Sequence, residues 1–354
     1  VNLVLKHSLF AVVCGVFLVT TAAQANESAK SGRSQATTPQ HIKTKQEKAA
    51  KSAKATRATK GAKASVKRAT QRTNKRVVQR DPKNRMSAKS KMGVQSAMTT
   101  AALSSSAALV VDQISGEVIF EKNATTVLPI ASITKLMTAL VVAEADLPMD
   151  EQLTVTKNDA DLEKGVRSRL AVGTRLTRAE FMHLALMSSE NRAAHVLGRT
   201  YPGGMDAFVA AMNIKAKHLG MADSRFVEPT GLSASNVSSP RDLVRLVEES
   251  HRVEEIREYS TARKLNIRVR GRDTQFINTN ALARGDQWEL GVSKTGFIRE
   301  AGRCLVMQAE VDRRPVIMIM LDASGKQQRL RDAERLRRWI VQQADQAPRS
   351  NPNA

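Results

Sequence analysis

Ser132 and Lys135 stand three residues apart in "PIASITKLMTALVV", at the mouth of an apolar helical pattern. On a helix, positions i and i+3 share a face, so the hydroxyl and the amine can hydrogen-bond. A serine hydroxyl is a weak nucleophile until a base takes its proton, and a lysine can be that base only while its amine is neutral. Burial and a neighbouring cation both favour the neutral amine. The N–H groups at a helix N-terminus suit a developing oxyanion. The pair thus has the parts of an acyl-transfer centre that needs no histidine.

By itself S-x-x-K is a weak signal in a chain rich in lysine and serine. It occurs once, however, and outside the basic segment where chance favours it. Ser189-Glu190-Asn191 is the only S-x-N of the chain and Lys294-Thr295-Gly296 the only K-T-G. Each answers a need the first pair leaves open. Ser189 can relay a proton to a leaving group, and Asn191 can hold a substrate amide. Lys294 can bind a carboxylate and help to keep Lys135 neutral, and Thr295 can hydrogen-bond the same carboxylate. Gly296, in a strand, lets a substrate backbone approach the sheet edge.

These residues need a scaffold, and the sequence outlines one. "ALVVD" and "EVIFEK" around "QISG" predict a β-hairpin. Ile133, Leu136, Met137, Leu140 and Val141 recur at i, i+3, i+4, i+7 and i+8, the core-facing stripe of a helix. Residues 177 to 250 read as mainly helical. Thr177 and Glu180 form a capping box, Gly220 closes a helix from about Met205 to Leu219, and Ser239-Pro240 starts another. "LNIRVR", "GVSKTGF", "RCLVMQAEV" and "PVIMIMLDA" predict antiparallel strands. A last helix, about Gln327 to Gln342, places Leu330, Leu336, Trp339 and Ile340 on one side. This order predicts an α+β fold, an antiparallel sheet flanked by helices plus an all-helical lobe.

The net charge of +22 is unevenly placed. Residues 26 to 95 hold 20 Lys/Arg against Glu27, Glu47 and Asp81. That composition cannot offset chain entropy by burial, so residues 26–100 are expected to be disordered. The segment reads either as a solvated spacer or as a polycationic arm for anionic envelope polymers. It lacks stacking aromatics, which argues against nucleic acid. Residues 1–25 read as a secretory signal, with Lys6 and His7 before the apolar run Leu9 to Val19 and Ala23-Gln24-Ala25 before the cleavage point. A periplasmic location and no stable membrane anchor follow as expectations. Without the signal, Cys304 is the only thiol, expected in the core. The scattered histidines give no metal-ligand spacing, so neither a metal nor a cofactor is expected. The domain plan is a signal at 1–25, the basic segment at 26–100, a catalytic domain at 101–345 and a disordered tail at 346–354.

The order S-x-x-K, S-x-N, K-T-G resembles that of the penicillin-recognising serine enzymes. From about Ala107 to Val341, through "PIASITKLMTA", "LMSSENRAAHVLG", "FVEPTGL" and "GVSKTGFIREAGRCLVM", the chain resembles a low-molecular-mass penicillin-binding protein of the D-alanyl-D-alanine peptidase family, above all its endopeptidase branch. The resemblance implies a serine β-lactamase/penicillin-binding transpeptidase-like fold. It implies Ser132 as acyl-ester nucleophile, Lys135 as general base, Ser189 as proton relay and Lys294 as carboxylate binder. It also implies an oxyanion hole from the N–H groups of Ser132 and Phe297. Peptidoglycan stem peptides are the implied substrates and β-lactams the implied inhibitors.

No E-x-x-L-N segment lies between Ser132 and Lys294, which argues against a β-lactamase; Glu228, followed by Pro229, does not supply one. Only 58 residues follow Gly296, short of the second β-rich domain usual in carboxypeptidase members. With Glu190 in place of glycine inside S-x-N, this favours an endopeptidase over a D-alanyl-D-alanine carboxypeptidase. A reading of another class is a non-catalytic, basic cell-wall-binding module.

Overall fold

The computed structural model describes residues 103–160 and 168–346. The expected signal at 1–25 and basic segment at 26–100 lie outside the described residues, as does the tail from 347 onwards.

The chain opens with the predicted hairpin, β1 (Ser105–Asp112) and β2 (Val118–Lys122), and then β3 (Leu128–Pro129). A 3-10 turn, Ala131–Ile133, leads directly into α1 (Thr134–Glu144). Around α2 (Lys157–Ala160), β4 (Gln152–Thr154) pairs with β5 (Arg175–Thr177). The helical lobe continues with α3 (Arg178–Met187), α4 (Asn191–Arg199) and α5 (Gly204–His218). After β6 (Val237–Ser238), which pairs with β3, come α6 (Pro240–Arg252) and α7 (Glu254–Thr261). The rest is β7 (Lys264–Val269), β8 (Arg272–Ile277), β9 (Glu289–Ile298), β10 (Gly302–Val311), β11 (Arg314–Ala323) and α8 (Lys326–Gln346).

Five strands form one antiparallel sheet in the order β2-β1-β11-β10-β9. Strand side chains alternate between faces, and here both faces are covered. Leu109, Val111, Val306, Ile317, Ile319 and Leu321 pack with the helical lobe. Val110, Leu305, Met307, Met318 and Met320 pack with Ala333, Leu336 and Ile340 of α8. Such strands must be apolar at successive positions, as "PVIMIMLDA" is. "LNIRVR" is not, and it does not join the sheet. It pairs with β8 in a separate hairpin, its alternating Lys264, Asn266 and Arg268 exposed and its Ile267 and Val269 buried.

The helix signals are confirmed to within a residue or so. Thr177 and Glu180 form the reciprocal capping box of α3, and the Ser239 side chain caps α6 with Pro240 in the first turn. Gly220 takes a left-handed φ of 69° just past α5. The final helix runs further than expected, from Lys326 to Gln346. Cys304 is fully buried in the core.

α1 departs from expectation. All five stripe residues are buried, but so is every residue from Thr134 to Val142. The helix is central rather than amphipathic, enclosed by α3, α4, α5, α6 and α7. Lys135 is therefore buried by position. Truncation of a fully buried leucine costs about 2–5 kcal/mol. Leu140→Ala should thus lower the unfolding free energy by that amount, read as a lower urea midpoint at an unchanged slope. A shift below about 1 kcal/mol would contradict α1 as the centre of the core.

Candidate active site

Ser132 lies in the 3-10 turn before α1, two residues ahead of the α-helix itself. Ala131 takes a left-handed φ of 47°, which presents the hydroxyl at the surface of an otherwise buried segment. Two glycines hold this turn. A Cβ on Gly231, at φ +78°, would lie 2.0 Å from the Ala131 carbonyl oxygen and 2.8 Å from the Ser132 nitrogen. A Cβ on Gly296 would lie 2.9 Å from the Ile130 oxygen and 3.3 Å from the Ser132 nitrogen. Sequence reasoning gave Gly296 to the approach of substrate backbone. The structure gives a nearer cause, for the turn that carries Ser132 itself occupies the space a side chain would need.

Lys135 Nζ sits 2.9 Å from Ser132 Oγ and donates to Asn191 Oδ1 at 2.7 Å and to the Thr230 carbonyl at 2.5 Å. Burial pushes its pKa from 10.5 down to about 7, against the opposing pull of Glu228 and Glu190. A neutral amine has two N–H groups and one lone pair. Thr230 O and Asn191 Oδ1 can only accept, so they take both hydrogens. The lone pair is left to face the Ser132 hydroxyl, which is the geometry of a general base.

Lys294, on β9, is buried as well and donates to Ser189 Oγ at 2.9 Å and to the Thr295 carbonyl at 3.1 Å. Burial, then the charges of Lys135 and Arg329, hold its pKa well below the lysine range. No carboxylate among the described residues pairs with it, so a bound carboxylate would restore its charge. Ser189 has a left-handed φ of 60°, in the short link between α3 and α4, and joins Lys294 to the cleft. Thr295 Oγ1 donates to Thr279 Oγ1 at 2.7 Å.

All eight residues singled out in the sequence converge. Ser132, Ser189, Asn191, Thr295, Gly296 and Phe297 line one cleft of about 330 Å³, and Lys135 and Lys294 hydrogen-bond to its two serines. Several partners were not legible. Thr230 supplies a carbonyl, which leaves no trace in residue type. Glu228 anchors the Thr230 loop by accepting from the N–H groups of Thr230 and Gly231 at 2.6 Å each and from Asn236 Nδ2 at 2.9 Å. Its carboxylate is spent within the loop and is not presented to a water in the cleft. Glu190 accepts from Ser168 Oγ at 2.7 Å and faces Arg169 at 3.6 Å, tying the S-x-N turn to a neighbouring segment. Arg329 of α8, only 3% exposed, lines the cleft from 35 residues beyond Lys294, too far for any spacing rule.

Known proteins resemble the chain over most of the described residues. The chain is 48% identical over 240 residues to a D-alanyl-D-alanine endopeptidase of Pseudomonas aeruginosa, covering 67% of this chain and 77% of that one. It is 46% identical over 250 residues to a D-alanyl-D-alanine endopeptidase of Escherichia coli, covering 69% and 80%. Among solved structures, penicillin-binding protein D2 of Listeria monocytogenes, determined with cefotaxime bound, superposes with a TM-score of 0.61 at 32% identity, covering 68% of this chain and 98% of that one. The family signature of the D-alanyl-D-alanine carboxypeptidases spans residues 93–325, and with the serine, the two lysines and the asparagine in contact as described, the chain belongs to that family.

Proposed function

We propose that the protein is a periplasmic serine peptidase that hydrolyses D-alanyl cross-links of peptidoglycan through an acyl-enzyme on Ser132. The observation that carries the chemistry is the Lys135 amine, buried, depressed to about 7 and aimed at Ser132 Oγ. The preference for cross-links rests on the two relatives above, both named endopeptidases. The signal-like residues 1–25 support the location, and among the described residues no helix is long and apolar enough to cross a membrane. We extend the proposal to residues 26–95 as an arm for anionic envelope polymers, on composition alone.

Each step uses a group already in place. Lys135 takes the Ser132 proton as Oγ attacks the D-alanyl carbonyl carbon, and the N–H groups of Ser132 and Phe297 receive the oxyanion. Lys294 and Arg329 hold the carboxylate beside the scissile amide, which fixes the leaving group against Ser189. The proton returns through Ser189 to the departing amine, and the C–N bond breaks to leave the Ser132 ester. Water then attacks the ester, with Lys135 again as base. A penicillin presents the same carboxylate and a reactive amide, so Ser132 opens its ring and keeps it as an ester.

Intact mass after penicillin treatment should show one adduct, absent from Ser132→Ala; a labelled variant would remove Ser132 from the mechanism. The acylation rate should rise with pH through a midpoint near 7, because the neutral form of the base grows as pH rises through its depressed pKa. Lys135→Arg, which keeps the charge and cannot lose it, should abolish that rise and at least about 100-fold of the rate. On isolated muropeptides, dimers should be cleaved to monomers faster than terminal D-alanine is released from pentapeptides. The reverse order would make the protein a carboxypeptidase, and no reaction with either drug or peptide would leave the wall-binding module.

A further inference from the structure

Beyond the K-T-G strand the cleft wall carries Arg303, Lys326 and Arg329, and no carboxylate is among the residues that line it. Arg329 is spoken for by the chemistry above. Its Nη1 donates to the Cys304 carbonyl at 3.0 Å, while its buried Nε has no partner. The other two cations exceed what a single carboxylate requires. The Arg303 guanidinium carbon lies over the Phe297 ring, 3.5 Å from its centre, on the strand position paired with Phe297. Lys326 begins α8 three residues before Arg329, on the same helix face.

Neither Arg303 nor Lys326 forms an ion pair with any described residue. The nearby carboxylate of Asp322 accepts from Ser106 Oγ at 2.6 Å instead. Burial, and then the charge of Arg303, pushes Arg329 down to about 10, so these two cations lie close enough to act on each other. Like charges gathered in this way are relieved by an anionic ligand. Contact with the Phe297 ring restrains the Arg303 side chain, and a guanidinium can make paired hydrogen bonds to a carboxylate.

We propose that Arg303 and Lys326 form a second anion subsite, which receives a carboxylate of the leaving group further out than the one beside the scissile amide. This rests on the reading of the cleft as a peptidase site for D-alanyl amides. The favoured substrate class is then a D-alanyl amide of an amino diacid or of a peptide bearing two carboxylates, rather than one ending in a single D-alanine. Selection for a cross-link would lie in this wall, on the leaving-group side.

The test measures the rate at which penicillin acylates Ser132 in the full chain, in competition with D-α-aminopimelate or with its ω-amide. These probes share an amine and the adjacent carboxylate and differ only in the distal one. On the unaltered protein the diacid should compete at a concentration at least about 10-fold lower than the amide. In the Arg303→Gln/Lys326→Gln double variant, normalised to its own rate without competitor, the two probes should come within about twofold. Equal competition on the unaltered protein, or a preference that survives in the double variant, would overturn the subsite. Lys326 is exposed, so Lys326→Gln alone serves if the double variant does not fold, and full retention of the preference there also overturns it. Faster release of D-alanine from pentapeptides than cleavage of dimers would defeat the endopeptidase reading only, since the competition needs no turnover.

Discussion

The site depends on one buried amine. Lys135 is at the centre of the core, and two groups that can only accept take its hydrogens and leave its lone pair to Ser132. A lysine amine in water is charged at neutral pH and useless as a base. Enclosing α1 on every side changes that, because an unpaired ammonium in a low-dielectric interior is costly. The packing of α1 is thus part of the chemistry proposed for the site. Its neighbours Ile133, Leu136 and Met137, all fully buried, exclude the water that would stabilise the cation.

Placing the second lysine is a task for the sheet. Lys294 faces the cleft from β9, the edge strand of an antiparallel sheet whose two sides are both covered. Two buried lysines in one site repel, and the charge of Lys135 makes Lys294 easier to neutralise. They are separated in role by their partners. Lys135 contacts Ser132, while Lys294 contacts Ser189 and has no carboxylate partner among the described residues. Behind the same sheet, α8 brings Arg329 and Lys326 to the far end of the cleft, so a helix that seals the core also supplies cations to the site.

Tight backbone contacts fix the turn that carries Ser132. Gly231 and Gly296 each touch the Ile130–Ser132 backbone, and Glu228 braces the loop that carries Gly231 and Thr230. The single loop from Glu228 to Asn236 therefore sets both the turn that presents Ser132 and the carbonyl that orients Lys135. "FVEPTGL" is visible in the sequence as a stretch, but its work is done by backbone atoms and a capping carboxylate.

Much was legible in residue types. The S-x-x-K, S-x-N and K-T-G triplets, the capping box at Thr177 and Glu180, the turn at Ser239-Pro240 and the apolar strands all follow from local rules of spacing, capping and periodicity, and the eight site residues do share one site. The rest depends on what lies next to each residue in space. The stripe on α1 did not reveal that its opposite face is buried too, because burial depends on neighbours supplied by distant segments. Thr230 contributes only a carbonyl, Gly296 makes room for a turn far away in sequence, and Arg329 reaches the cleft because α8 crosses the back of the sheet. The sequence alone determined which functional groups exist and which local elements hold them. Only the tertiary structure decided that a lysine would be dry enough to act as a base, since solvation is a property of the packed whole.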